Sequence, residues 1–353
     1  MRRLRRRLPV VLLALGTVAA VAPVPAPNLT GYPNSIGALG DSITRAYNTG
    51  TVPFTDAPRN SWSTGTTSSV ESHYFRIRDV APAIFDRTFN NAVSGAKVAD
   101  LDAQVAAVNE QAVAYVTILI GANDLCTRTV GNMTAVDTFR TEFEHAMAAL
   151  SAGSPRARLY VVSVPNVYRM WFVLRDNPLA RTAWRTFDTC QSLLEDPRST
   201  DADDVARRRA VRERNIAFNA VLDEVCALYI HCRFDESAVF NDPFTSDDVS
   251  KRDYFHPSIR GQTRLARVSW SASFDFTDQT PPISTAVTIP AEGGILVSLE
   301  ATDDGGMAGI EYRLDLGPWQ RYTGTFLLPT GSNIRFRAVD VNGNTEETKV
   351  VAA

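Results

Sequence analysis

Four short segments of this 353-residue chain carry residue types that could carry out nucleophilic chemistry together. The first is Gly40-Asp41-Ser42-Ile43-Thr44, where a serine follows an apolar stretch and opens a helix-like one. At such a junction the hydroxyl is exposed and the backbone N–H has no helical partner. The second, Asn91-Ala92-Val93-Ser94-Gly95-Ala96, contains a glycine whose backbone can approach a ligand and present its N–H. The third, Gly121-Ala122-Asn123-Asp124, offers a side-chain amide that can donate to a developing negative oxygen. The fourth, Asp253-Tyr254-Phe255-His256-Pro257, sets a histidine three residues after a carboxylate. Asp253 could hold the imidazole in one tautomer while its other nitrogen takes a proton.

Taken singly, each segment has an ordinary structural use. Ser42 could be a helix cap, Gly95 a plain turn glycine, Asn123 or Asp124 a cap, and His256 a surface histidine. Together, and in this chain order, they supply a nucleophile, oxyanion donors and a base. The other histidines fit chemistry less well: His73 and His145 fall in helix-like stretches, and His231 adjoins Cys232. No G-x-S-x-G elbow is present, which argues against the α/β-hydrolase fold.

The elements that must position these residues alternate. Ile36 to Leu39, Phe89 to Val93, Ala114 to Ile120 and Leu159 to Val164 read as short strands. The run AYVTILI is continuously apolar, as in a parallel strand buried on both faces. Between the strands, Val98, Leu101, Val105 and Val108 mark one helical face, and Phe139, Phe143, Met147 and Leu150 another. Asp203 to about Leu228 reads as a long amphipathic helix with Ile216, Phe218, Leu222 and Val225 inward. Such alternation predicts an α/β fold with a parallel sheet covered on both sides. Sites in open parallel sheets form beyond the carboxyl ends of the strands, where the first three segments fall.

Near residue 277 the pattern changes. Residues 277–282, TDQTPP, read as a linker, and from 283 to 353 no helical period appears. Short strand candidates at 287–289, 295–299, 310–314, 325–328 and 334–339 are separated by Gly-, Asp- and Asn-rich turns. They predict a small all-β sandwich.

The N-terminus reads as a secretory signal over residues 1–26: five arginines, a short apolar run and small residues before a Pro-rich stretch. The hydrolytic part is then expected over 29–276. The formal charge of −3 offers no basic excess for nucleic acid, and removing the leader arginines makes the chain more acidic. No later stretch is long and apolar enough to span a bilayer. Four cysteines, Cys126, Cys190, Cys226 and Cys232, suggest two disulfides in an exported protein, with three pairings possible. Cys226 and Cys232 could close a small loop, which leaves Cys126 with Cys190. No C-x-x-C or H-x-x-x-H spacing supports a metal site.

The blocks "GDSIT", "NNAVSGA", "GANDLC" and "DYFHPS" resemble those of the SGNH, or GDSL-type, esterase/lipase family, over roughly Ser35 to Ser273. The secreted lipase and phospholipase-B-like branch looks nearest. The resemblance implies a three-layer α/β/α sandwich and a serine mechanism without metal or organic cofactor. It assigns Ser42 as nucleophile, His256 as base and Asp253 as its carboxylate partner. By the same resemblance Ser42, Gly95 and Asn123 match the oxyanion donors. The tail, through "GIEYRLDLGPWQRYTGTFLLP" and "RFRAVDVNGNTE", resembles bacterial immunoglobulin-like modules appended to secreted enzymes. The expectation is a secreted, monomeric ester hydrolase acting on a small-molecule or lipid ester. A polysaccharide is a further candidate partner, through the tail. A carbohydrate acetyl esterase and a non-catalytic binding or adhesion protein are the alternatives. Trp62, Trp171, Phe172 and Trp184 could line an acyl groove or fill the core; Trp319 and Tyr322 could contact a ligand or pack within the tail.

Overall fold

The computed structural model describes residues 31–353. The expected signal at 1–26 and the start of the hydrolytic part at 29 lie outside the described residues. Five strands form one sheet: β1 (Ile36–Gly40), β2 (Thr88–Asn90), β3 (Tyr115–Leu119), β4 (Arg158–Val161) and β5 (Cys232–Phe234). Their order is β2-β1-β3-β4-β5, and every pairing is parallel. β1 and β3 are buried along their whole length, which explains the continuous apolar run of β3. Alternate side chains serve opposite faces. Val116 and Ile118 join a core with the helices Leu101–Gln111, Val136–Gly153 and Ala202–Cys226. Tyr115 and Leu119 join a second core with His73–Val80 and Ile259–Ala272. The result is the expected three-layer α/β/α arrangement.

Several expectations need correction. Ile216 is exposed rather than inward: the long helix turns Asn215, Phe218 and Asn219 to the core, and Ile216 falls on the far side. β2 ends at Asn90 rather than Val93. Beyond it the chain keeps only the bonds from Asn91 N to Ala38 O and Val93 N to Gly40 O, then turns at Ser94-Gly95. His73, in keeping with its helix-like setting, is a satisfied core histidine, bonded to Tyr115 Oη at 3.0 Å and Ser269 Oγ at 2.8 Å. Burial pulls its imidazole down to about 3.

Residues 283–353 form two antiparallel sheets around a shared apolar core. One holds β6 (Ile283–Ala291), β7 (Gly294–Thr302) and β10 (Phe326–Pro329). The other holds β8 (Met307–Leu314), β9 (Gln320–Arg321), β11 (Asn333–Asp340) and β12 (Lys349–Ala352). β9, two polar residues, and β12, four residues at 349–352, are strands that the sequence pattern did not predict. Tyr322 packs in this core, and its hydroxyl accepts from Leu299 N at 3.1 Å. Trp319 lies under the guanidinium groups of Arg313 and Arg337, at 5.0 and 4.2 Å.

Residues 277–282 contain neither helix nor strand, yet they do not hang free. Asp278 accepts from Asn342 and Asn344, and Asn344 Oδ1 accepts from Arg158 Nη2 at 2.8 Å. Arg158, the first residue of β4, also donates to Gly31 O. A second tie runs through buried charges. Glu311 of β8 pairs with Arg337 and bonds His231 at 3.2 Å, and Arg337 donates to Pro155 O at 3.0 Å. Burial pushes the Glu311 carboxyl up, but His231 and Arg337 outweigh it and hold the group below its ordinary range. Removing one member of a buried ion pair strands the other charge, at about 3–5 kcal/mol. Arg337→Ala should therefore lower the denaturation midpoint well beyond Arg337→Lys, with Trp fluorescence as the local probe. Equal midpoints for Arg337→Ala and wild type would refute the clamp.

Candidate active site

Ser42 follows the carboxyl end of β1, the strand flanked by β2 on one side and β3 on the other. This is the switch point of the sheet, where crevices open. The turn needs Gly40: its φ is +145°, and a Cβ there would meet Leu119 O at 2.3 Å. Gln104 grips the same glycine from below, accepting from Gly40 N at 2.8 Å and donating to Gly40 O at 3.0 Å. Gln262 holds the far side of the turn by donating to Ile43 O at 2.8 Å. Neither glutamine stood out in the sequence, because each is one polar residue on an otherwise ordinary helix.

The structure brings Ser42, Asp253 and His256 into one hydrogen-bonded chain. Ser42 Oγ lies 2.8 Å from His256 Nε2, and His256 Nδ1 lies 2.7 Å from Asp253 Oδ2. Asp253 is buried, and its other oxygen accepts from Phe255 N and His256 N at 3.0 and 3.2 Å. Burial raises the Asp253 carboxyl, but the bond to His256 and its charge, with the donors from Phe255 and Asn48, hold it below its ordinary range.

Asn123 sits just past β3 and lines the same cavity as Ser42 and His256. Its Nδ2 donates to Ala96 O at 2.9 Å, which leaves a second N–H on that nitrogen. Asp124 beside it is fully buried and ties its block to the segment just after Ala96 and to the loop at Thr134. It accepts from Val98 N at 3.0 Å and from Thr134 Oγ1 at 2.7 Å. Gly95 follows the end of β2 at a φ of +88° with open space around its α-carbon. It is not among the residues lining that cavity, although Val93 N, bonded to Gly40 O at 3.1 Å, sets its turn beside the Ser42 step. Among the described residues neither Ser42 N nor Gly95 N donates a hydrogen bond.

The cysteines pair as Cys126–Cys190 and Cys226–Cys232. The first bond pins the segment that carries Asn123. The cavity beside Ser42 is about 100 Å³ and its surface is mostly apolar, from Ile43, Val167, Met170, Val239, Leu265 and Val268 together with Phe244 and Phe255. Of the four aromatics that could line a groove or fill the core, Trp62, Trp171 and Trp184 are core, and Phe172 is exposed elsewhere; none lines this cavity. Its true lining comes from helices whose apolar residues look like any core face in sequence.

The family profile described as GDSL-like lipase/acylhydrolase matches residues 36–268, about two-thirds of the chain. The chain belongs to the GDSL-like lipase/acylhydrolase family. Solved structures with similarity include one described as a GDSL-like lipase from Parabacteroides merdae. It is 19% identical, covers 70% of this chain and 98% of its own, and has a TM-score of 0.42. An alpha/beta hydrolase enzyme from the metagenome of Lake Arreo is 14% identical, with coverage of 67% and 94% and a TM-score of 0.43. A two-domain esterase active on acetylated mannans is 13% identical, with coverage of 90% and 85% and a TM-score of 0.34. No curated protein matches the sequence. This GDSL-like protein is thus an ester hydrolase by family, with its GDS block at the switch point of the sheet.

Asp41 of that block is fully buried, and its Oδ2 has no partner among the described residues. Burial pushes its carboxyl from an ordinary 3.8 up to about 7. The folded state therefore keeps a proton that the unfolded chain releases across this window, so stability falls as pH rises through it. Asp41→Asn is neutral throughout and should lose less stability than wild type between pH 5 and pH 8. Urea midpoints at the two pH values read the difference; parallel losses would rule out a buried, proton-holding Asp41.

Proposed function

We propose that this protein is a secreted serine ester hydrolase that acts through an acyl-enzyme on Ser42. The supporting observation is the unbroken chain Ser42–His256–Asp253, opening on an apolar cavity. As Ser42 Oγ bonds to the ester carbonyl carbon, its proton passes to His256 Nε2. The carbonyl oxygen becomes an oxyanion held by the N–H groups of Ser42 and Gly95 and the Asn123 amide. When the ester C–O bond breaks, His256 gives that proton to the leaving alkoxide. Water then repeats the sequence: His256 takes its proton, hydroxide adds to the acyl carbon, and Ser42 leaves reprotonated. Asp253 keeps the imidazole in the tautomer that needs Nε2 free and stabilises the imidazolium.

Ser42→Ala should abolish covalent turnover. Asn123→Ala should lower kcat by about 10²–10³ while leaving it measurable. A Ser42→Ala variant with wild-type activity on p-nitrophenyl esters would sink the proposal. A wild-type protein that fluorophosphonate cannot label at Ser42 would favour a binding protein on this scaffold.

The apolar cavity favours an acyl chain over an acetyl group. The charged groups on its wall are engaged with one another, Arg264 pairing with Asp242 at 2.5 Å and with Asp248 at 3.6 Å. Each buried methylene is worth about 0.8 kcal/mol, so kcat/KM should rise about fourfold per carbon from acetate through butanoate. Met170→Trp should reverse that trend by filling the cavity. Faster release from acetylated polysaccharide than from butanoate or longer esters would assign the protein to carbohydrate esters instead. Secretion accords with the two disulfides and with the absence, among the described residues, of a helix long and apolar enough to cross a membrane. In this reading residues 283–353 are an immunoglobulin-like module clamped to the hydrolase.

A further inference from the structure

Asn48 lies six residues beyond Ser42, in a loop with no regular structure, and nothing in the sequence marks it. In the fold it is buried, and all of its polar groups are engaged. Its backbone N donates to Thr55 O at 3.0 Å, and its backbone O accepts from Arg252 Nη1 at 3.0 Å. Its side-chain Oδ1 accepts from Phe54 N at 2.6 Å. Its Nδ2 donates to Asp253 Oδ2 at 2.5 Å, across 205 residues. The Phe54 N–H settles which way the amide points, since only an oxygen can face that donor. The NH₂ group must then face Asp253. The backbone has a φ of +67°, a conformation that asparagine and aspartate adopt more readily than other non-glycine residues.

Asp253 receives four hydrogen bonds. Three come from its own loop: Phe255 N, His256 N and His256 Nδ1. The fourth, from Asn48, is the only one from the segment that carries Ser42, and it falls on the oxygen that also holds the imidazole. We propose that Asn48 is a positioning residue of this site, fixing the Asp253 carboxylate and thereby the His256 ring against Ser42. The inference rests on the serine mechanism proposed above. Asn48 itself does not line the acyl cavity, so it acts through Asp253 and not on the substrate.

Two consequences separate this role from simple loop stability. Loss of the amide donor leaves more negative charge on Oδ2, which favours the imidazolium and moves the acid limb of kcat/KM to higher pH. A ring displaced by even about 1 Å can cost 10²-fold in rate. The other charged or titratable groups around the pair are unchanged by the substitutions. They are Tyr47, with its ring 4.8 Å from the imidazole, Asp41 behind Ser42, Arg252 on the Asn48 carbonyl, and Asp242, Asp248 and Arg264 on the cavity wall.

The test compares wild type, Asn48→Leu and Asn48→Asp in the full chain. Asn48→Asp keeps the shape, the acceptor for Phe54 N and the tolerance of positive φ, so it preserves the loop while replacing the donor with a second carboxylate. In both variants kcat should fall about 10–100-fold with KM nearly unchanged. The acid limb should move up, by about one pH unit in Asn48→Asp, where a like charge joins Asp253. Fluorophosphonate labelling of wild-type Ser42 is run alongside. If wild type is not labelled, the serine mechanism falls and this role falls with it. If wild type is labelled but Asn48→Leu, which can neither donate nor hold a proton, keeps the wild-type kcat and acid limb, the role of Asn48 alone is overturned.

Discussion

One hydrogen bond organises this protein: the 2.8 Å contact between Ser42 Oγ and His256 Nε2, which joins residues 214 positions apart. A hydroxyl–imidazole contact tolerates little error in distance or angle. Both ends must therefore be rigid, and each is made so differently. Ser42 stands on the end of a fully buried strand, at a glycine turn that no other residue could make without clashing. His256 stands on a loop between Asp248 and Ser258 that closes on itself, with Ser250 N bonded to His256 O at 2.8 Å and Ser258 N to Asp248 O at 2.9 Å.

The polar groups that stiffen this region are mostly buried and mostly paired. Gln104, Gln262 and Asp124 each link two segments that are far apart in sequence. Buried hydrogen bonds of this kind add little net stability, but breaking one leaves an unsatisfied partner. They therefore specify position more than they add energy. Among the described residues, Asp41 and Asn90 each keep a buried oxygen without a partner, and burial holds the Asp41 proton to about 7. Local cost at a site with fixed geometry is a common arrangement.

Two arginines are prominent where the tail meets the α/β part. Arg158 and Arg337 reach across, each bonded to a backbone carbonyl as well as to a side chain. Such contacts are directional, so they set an orientation between the two parts. They lie around the amino end of β4 and the Ser154–Ala157 turn, away from the Ser42 cavity, whose lining includes no residue of the tail. The arrangement leaves the crevice open.

Much of the fold was legible in residue order alone. Strand and helix periods are local, and they announced the parallel sheet, the change of architecture near residue 277 and three blocks at strand ends. Residue type and order also put forward Ser42, Gly95, Asn123, Asp253 and His256 as candidates, because such chemistry requires particular functional groups. What residue order left open depends on distance through space. Which cysteines pair, that Asn48 meets Asp253 across 205 residues, and that Met170, Leu265 and Val268 rather than tryptophans wall the cavity were decided only by the tertiary structure. Aliphatic residues facing a cavity and aliphatic residues facing a core follow the same helical period, and only packing makes them different.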